Sequence, residues 1–176
     1  MSNPRFYVPV ALTAQTALML PETTAHHAAR VLRLRSGDAV MLFNGGGGEY
    51  AARITAIGKH DVTVAIERHD PVERESTLQV TLVQAVSSGE RMDLTIQKAV
   101  ELGVSRIVPV ESERSVVRLK GERAGKRVAH WQQVVVSACE QCGRNRIPEV
   151  RMISPLDVWL AAEENRRRGE FVLVVS

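Results

Sequence analysis

The sequence predicts an α/β protein in two parts: a small β-rich domain, then a mostly parallel sheet covered by helices. Three observations carry that prediction. Residues 1–70 hold short strand-like segments separated by tight, glycine-containing turns. A polar stretch with a proline, Asp70–Thr77, then ends the strand pattern. From Leu78 onward, apolar strand segments alternate with helical ones, the rhythm of a parallel sheet with crossover helices. The domains are accordingly expected at 1–70 and 78–176, with 71–77 as linker.

In the first domain, Arg5–Val10 has strand composition. His26–Arg35 is expected as a short helix with Thr24 as N-cap, since Ala28, Val31 and Leu32 recur at helical spacing. Ala39–Phe43, Glu49–Ile57 and Val62–Glu67 are strands, with turns at Ser36–Asp38 and Gly58–Asp61. This pattern suits a small barrel or a curled sheet. Gly45–Gly48 lies between two strands and lacks the Lys-Ser/Thr pair and following helix of a phosphate loop, so it reads as a hairpin tip.

In the second domain, Leu78–Val86, Arg106–Val110, Glu149–Ile153 and Phe171–Val175 are strands. Glu90–Gly103, Arg123–Cys142 and Pro155–Arg167 are helices, the last with Pro155 near its first turn. On the first helix, Met92, Ile96, Ala99, Val100 and Gly103 share one side. Glu90, Gln97 and Glu101 form a second stripe, and Arg91 and Lys98 a third. Such a face suits either a polar ligand or ordinary solvated charge pairs, and spacing alone favours the solvated face. On the long helix, Ala124, Val128, Trp131, Val135, Ala138 and Cys142 make a core stripe. Lys126, His130, Gln133, Ser137 and Glu140 make a polar one. Gly143 is expected to cap that helix in the left-handed conformation. Arg144-Asn145-Arg146 follows, suited either to contact phosphate or bases or to answer the helix dipole.

Composition narrows the function classes. Hydrophobic residues at 44% and charged residues at 24% are those of a globular protein. There is no apolar run of transmembrane length and no signal-peptide core at the N-terminus, so a cytoplasmic location is expected. Two cysteines make no disulfide framework. Cys139 and Cys142 are spaced as C-x-x-C, but at a helix C-terminus and without a second pair. That favours structural thiols over zinc or redox chemistry, and no metal is expected. His26, His27 and His130 form no ligand or triad geometry. The net charge of +3 is unevenly placed: residues 106–151 carry ten Lys/Arg against five Asp/Glu, while residues 1–75 are balanced at eight each. A concentrated basic segment suits a polyanionic partner.

Five segments together resemble one family: Arg5-Phe6-Tyr7, His27–Gly37 (HAARVLRLRSG), Ser88–Val104 (SGERMDLTIQKAVELGV), Pro109–Arg114 (PVESER) and Ala138–Pro148 (ACEQCGRNRIP). The chain is similar over nearly its whole length to the E-type bacterial 16S ribosomal RNA uridine-N3 methyltransferases. The resemblance implies an N-terminal PUA-like barrel that holds RNA and a C-terminal SPOUT methyltransferase domain with a trefoil knot. It further implies a homodimer, S-adenosylmethionine as cofactor, and a uridine of 16S rRNA in the assembled 30S subunit as substrate. The family's Gly-Pro-Glu-Gly-Gly and Leu-Gly-x-Arg-Ile-Leu-Arg-x-Glu-Thr segments do not occur in these 176 residues. The chain is therefore expected to be a fragment without the knot segment, inactive alone and a weak binder of cofactor at most, with its cofactor contacts unassigned.

The resemblance also promotes Glu90, Arg91, Gln97, Lys98 and Glu101 to active-site-side residues. N3 of uridine becomes nucleophilic only after losing its proton, which calls for an exposed base and a donor or cation where charge develops. Arg91, Lys98, Arg114 and Arg144 are candidates for that charge stabilisation, and Glu90, Glu101 and Glu140 for accepting the proton or orienting the cations. Arg5, Arg30, Arg33 and Arg35 in the barrel are candidate RNA contacts, with Arg118, Lys120 and Arg146 in the basic segment. Residues 30 and 33 are expected on one helical side. Two other classes remain in view. One is a non-catalytic RNA-binding protein of barrel plus basic α/β domain. The other is a nucleotide-dependent oxidoreductase, which would need a G-x-G-x-x-G that Ser87–Glu90 does not supply.

Overall fold

A computed structural model of the chain describes residues 3–112, 121–162 and 170–175. The chain divides into two compact units. The first is Met1–Arg74 together with Gly143–Arg146, and the second is Glu75–Cys142 with Ile147–Ser176.

The first unit is built on a five-stranded sheet in the order β1-β3-β4-β5-β2, formed by β1 (Arg5–Tyr7), β2 (Thr16–Met19), β3 (Ala39–Phe43), β4 (Glu49–Ile57) and β5 (Val62–Asp70). All neighbours are antiparallel except β1 and β3. Alternation explains the strands: Val62, Val64 and Ile66 point inward and are buried, while Thr63 and Ala65 between them are partly exposed. Phe6, Val40, Leu42, Ala52 and Ile54 join them in one apolar core with Ala25 and Ala28.

Two local features differ from the sequence reading. β2 was not expected, because most of its side chains are exposed and give no alternation of burial. The helix expected at His26–Arg35 is shifted: α1 runs Glu22–His26 behind Pro21 and widens into a π turn over His27–Val31. Arg33 has φ 55, outside the helix. Arg30 and Arg33 therefore do not share a helical side, because the helix has ended between them.

The second unit carries a parallel sheet in the order β10-β6-β7-β8, with β9 also beside β7. Its strands are β6 (Gln79–Ala85), β7 (Arg106–Glu111), β8 (Glu149–Val150), β9 (Ser154–Pro155) and β10 (Glu170–Val175). β6 is buried without interruption from Thr81 to Ala85, as a central parallel strand covered on both faces must be. The helices are α2 (Glu90–Glu101), α3 (Glu122–Cys142) and α4 (Leu156–Ala161).

The expected faces of α2 and α3 hold. Met92, Ile96 and Val100 are buried on α2. On α3 the buried residues are Ala124, Val128, Trp131, Val135, Ala138 and Cys139, with Cys142 only partly buried. The two helices pack on each other. Gln132 on α3 accepts the Val150 N–H at 2.9 Å and donates to the Pro148 carbonyl at 3.0 Å, which fastens the short strand β8 to the helix. A mostly antiparallel β unit followed by a parallel α/β unit is the architecture the sequence predicted.

Candidate functional site

In the second unit, the polar stripe of α2 is bonded along its own helix. Lys98 Nζ lies 2.7 Å from Glu101 Oε2, and Gln97 Nε2 donates to Glu101 Oε1 at 3.1 Å. The Lys98 ammonium and then the Gln97 amide hold the Glu101 carboxyl below its ordinary range. Both partners are one turn away, so pairing on this helix needs no tertiary support. Glu90 and Arg91 are exposed in the first turn of α2. Asp93 Oδ2 and His130 Nε2 stand 2.8 Å apart and link α2 to α3.

A cleft of about 370 Å³ lies beside that pair, lined by Gln97, His130, Gln133, Val134, Ser137, Ala138 and Gln141. It is an amide- and hydroxyl-rich surface along the polar stripe of α3. Glu140 is half-buried in the last turn of that helix.

On the other side of α2 a groove of about 540 Å³ runs between the helix and the strands β6 and β10, walled by Val80, Leu82, Leu94, Leu102, Leu173 and Val175. Sequence reasoning missed it. Leu94 and Leu102 are 56% and 88% exposed, and their apolar character was the only available signal. Lys98 and Gln84 are the groove's longer polar side chains. A sulfonium nucleoside needs carboxylate or carbonyl acceptors for its ribose hydroxyls and ammonium group. Among the described residues the lining side chains hold no carboxylate and one amide carbonyl, that of Gln84, so they supply few of those acceptors.

The first unit contains the other half of the candidate set. Gly143 ends α3 with φ 87, the left-handed cap the sequence predicted. The next three residues fold into the first unit. Arg5 Nη1 donates to Glu49 Oε2 at 2.6 Å. Arg5 Nη2 donates to Asn145 Oδ1 at 2.6 Å and reaches the Arg144 carbonyl at 3.3 Å. Arg74 forks onto both oxygens of Glu49 at 2.7 and 3.0 Å. Arg146 Nε donates to Glu73 Oε2 at 2.7 Å, and Asn145 Nδ2 to the Val72 carbonyl at 3.4 Å. Glu49 is 6% exposed and Asn145 is fully buried. The Arg74 guanidinium first, and then Arg5, overcome the cost of burial and hold the Glu49 carboxyl at about 2.

The glycine run is part of this cluster. Arg146 pairs by backbone bridges with Gly45 and Gly46. A Cβ at Gly47, where φ is +94, would stand 2.9 Å from Arg146 Nη2 and 3.3 Å from Glu73 Oε2. The expected hairpin tip is thus the place where a distant arginine seats against bare backbone.

The predicted site residues therefore fall into three groups. Glu90, Arg91, Gln97, Lys98, Glu101 and Glu140 belong to the second unit, and Arg144 and Arg146 to the first, where Arg144 is buried. Arg5 is turned into the Glu49 cluster, while Arg30, Arg33 and Arg35 are exposed. Arg114, Arg118 and Lys120 lie outside the described residues. Glu49, Glu73 and Arg74 were not singled out in the sequence, since their partners are distant in the chain. Among the described residues, no group of three or more His, Cys, Asp or Glu side chains is placed to hold a metal, and no helix is long and apolar enough to cross a membrane.

Comparison with known proteins places this arrangement. Residues 74–175 match an RNA methyltransferase domain, and residues 20–67 match an RNA methyltransferase PUA domain. The chain is 34% identical over 148 residues to ribosomal RNA small subunit methyltransferase E of Buchnera aphidicola subsp. Schizaphis graminum, covering 84% of this chain and 60% of that protein. Its fold matches the crystal structure of ribosomal RNA small subunit methyltransferase E from Neisseria gonorrhoeae bound to S-adenosyl methionine. That match has a TM-score of 0.88 and 40% identity, over 98% of this chain and 78% of that one. A Legionella pneumophila structure described as a methyltransferase with bound cofactor SAM matches with a TM-score of 0.92 and 33% identity, over 100% of this chain and 80% of that one.

The class these matches define is an RNA methyltransferase domain preceded by its PUA domain. More narrowly, the chain belongs to the ribosomal RNA small subunit methyltransferase E family. It spans 60 to 66% of the length of the first curated relatives it matches.

Proposed function

We propose that this protein methylates N3 of a uridine in 16S rRNA within the 30S subunit, as a cytoplasmic homodimer, with S-adenosylmethionine as methyl donor. The observation that carries the reading is the fold match to the Neisseria gonorrhoeae enzyme over 98% of this chain at 40% identity, in a structure that holds the cofactor. The two-unit composition supports it, since a PUA-matched unit precedes a methyltransferase-matched one. In this reading the chain's own residues expose the uridine edge, accept or release the N3 proton and stabilise the resulting anion. Arg91, Lys98, Arg114 and Arg144 are assigned to anion or phosphate contact. Glu90, Glu101 and Glu140 are assigned to proton acceptance or to orienting those cations, and Gln97 to holding Glu101. Tritiated methyl transfer to unmodified 30S subunits by residues 1–176 extended with the family's cofactor-loop and closing segments, with free 16S rRNA in parallel, tests the reading. Label on 30S alone, recovered as N3-methyluridine, is the expected result; label on free RNA alone or on another base contradicts it.

Two further expectations arise here. The polypeptide of residues 1–176 by itself is expected to give no transfer and no micromolar cofactor binding in calorimetry, because the apolar groove along α2 offers no carboxylate for a ribose. A measured micromolar affinity would contradict this. Arg30, Arg33 and Arg35 are exposed in the first unit and are assigned to RNA backbone contact, with Arg118, Lys120 and Arg146 in the same role. Replacing Arg30 and Arg33 together by alanine should weaken 30S binding and reduce the log-affinity salt slope by about 1.5, the loss of two phosphate contacts. An unchanged slope would reject the assignment.

A further inference from the structure

A loop of sequence Gly-Arg-Asn-Arg has the composition of an exposed turn, and its burial needs a cause. An asparagine carries two donor hydrogens and an acceptor oxygen, each costly to strip of water without replacement. Asn145 is nevertheless at 0% exposure, with Arg5 on its oxygen and the Val72 carbonyl on its nitrogen. The receiving surface is built for it. Glu49 stands at the start of β4 and anchors one arm of the Arg5 guanidinium, leaving the other arm to bond Asn145 and the Arg144 carbonyl. Arg74 buttresses the same carboxylate from its other side. The Phe43 ring lies 5.0 Å beneath the Arg5 guanidinium, which limits that long side chain to one orientation. Beside this grip, Gly47 and Glu73 seat the Arg146 guanidinium.

We propose that Glu49 is a positioning residue: by fixing Arg5 it holds the Arg144–Asn145–Arg146 loop in one conformation, with the Arg146 side chain presented at the surface. Arg5 then serves the loop, not the RNA. A bare Arg5 would have a flexible stem and no fixed second arm, whereas a carboxylate bound from two sides turns its guanidinium into a rigid bracket. The consequence for methylation, though not the positioning itself, rests on the reading above that this loop faces RNA.

Hydrogen exchange on the full 176-residue chain tests the proposal, read on peptides covering 143–147, β4–β5 and α3. Glu49→Gln keeps the shape and removes the charge. Arg5→Lys keeps a cation opposite Glu49 and removes the second arm. Asn145→Ala removes the loop's own hook and leaves the Glu49 pairs intact. Each should speed exchange at 143–147 by about tenfold or more, the effect of losing one charge-assisted bond, with β4–β5 and α3 unchanged. Glu49→Asp should recover part of the protection. Loop exchange equal to the parent's in Arg5→Lys and Asn145→Ala, or an equal rise across β4–β5, would overturn the proposal; those two variants also carry the test if Glu49→Gln does not fold. If the loop loosens while 30S binding keeps the parent's affinity and salt slope, the positioning stands and the RNA-facing reading of the loop falls.

Discussion

Trp131→Ala is expected to lower the stability of the second unit by about 3–5 kcal/mol, the range for removing a large aromatic from a closed core. Trp131 is the largest fully buried side chain of the molecule's described residues, at 0% exposure on the face of α3 that also buries Val128 and Val135. At an m-value of roughly 2 kcal/mol/M, the urea midpoint should fall by about 2 M. Trp131→Phe should cost far less. Among the described residues the buried indole Nε1 has no hydrogen-bond partner, so its removal relieves an unmet donor while most of the ring volume stays. A midpoint unchanged in the alanine variant, or equal losses in the two variants, would contradict this account of the α3 core.

The second large effect is on acid stability. Arg74, and then Arg5, hold the Glu49 carboxyl at about 2, against an ordinary value of 4.5. A carboxyl whose pKa is lower in the folded state stabilises the fold fully above the unfolded value. That stability is lost as pH falls from about 4.5 through about 2. The difference corresponds to about 2–3 kcal/mol, the lower figure allowing for solvent screening at Arg74, whose side chain is 42% exposed. The first unit should therefore lose stability across that window, and Glu49→Gln should start lower at pH 7 and show a flatter profile below pH 4.5. Urea denaturation at pH 7, 4 and 3 measures both. Parallel pH profiles for parent and variant would rule out the ion cluster as the cause.

What was legible in the sequence follows from where each signal resides. The faces of α2 and α3 rest on local periodicity, so Met92, Ile96, Trp131 and Val135 were placed in the core from spacing alone. The buried strand β6 showed itself as an apolar-rich strand segment, and Gly143 as a helix cap from its position. β2 escaped because its exposed side chains carry no burial pattern. The π turn at His27–Val31 and the left-handed Arg33 escaped because helical spacing of apolar residues does not fix where a helix stops. In the candidate site, the Arg-Asn-Arg loop stood out by composition, but its seat did not. Arg5 and Asn145 are 140 residues apart, and the reason for Gly47 is an arginine 99 residues downstream (146 − 47). Such tertiary pairings leave no trace in local pattern. Family resemblance reached farther than periodicity because a motif such as ACEQCGRNRIP records the outcome of those pairings without stating them.

The same division applies to function. The uneven charge suited a polyanionic partner without establishing one, and spacing alone favoured a solvated face for the polar stripe of α2. Bonds within the helix account for the C-terminal half of that stripe, through Lys98, Gln97 and Glu101. The chemistry assigned to it depends on the family to which the chain belongs.

The most direct test of that assignment is nucleoside analysis of 16S rRNA from the host with and without the gene that encodes this chain. The account predicts that deletion removes N3-methyluridine from one site of 16S rRNA, visible as loss of a reverse-transcription stop, and that re-expression of the gene restores it. An unchanged N3-methyluridine content in the deletion strain would contradict it.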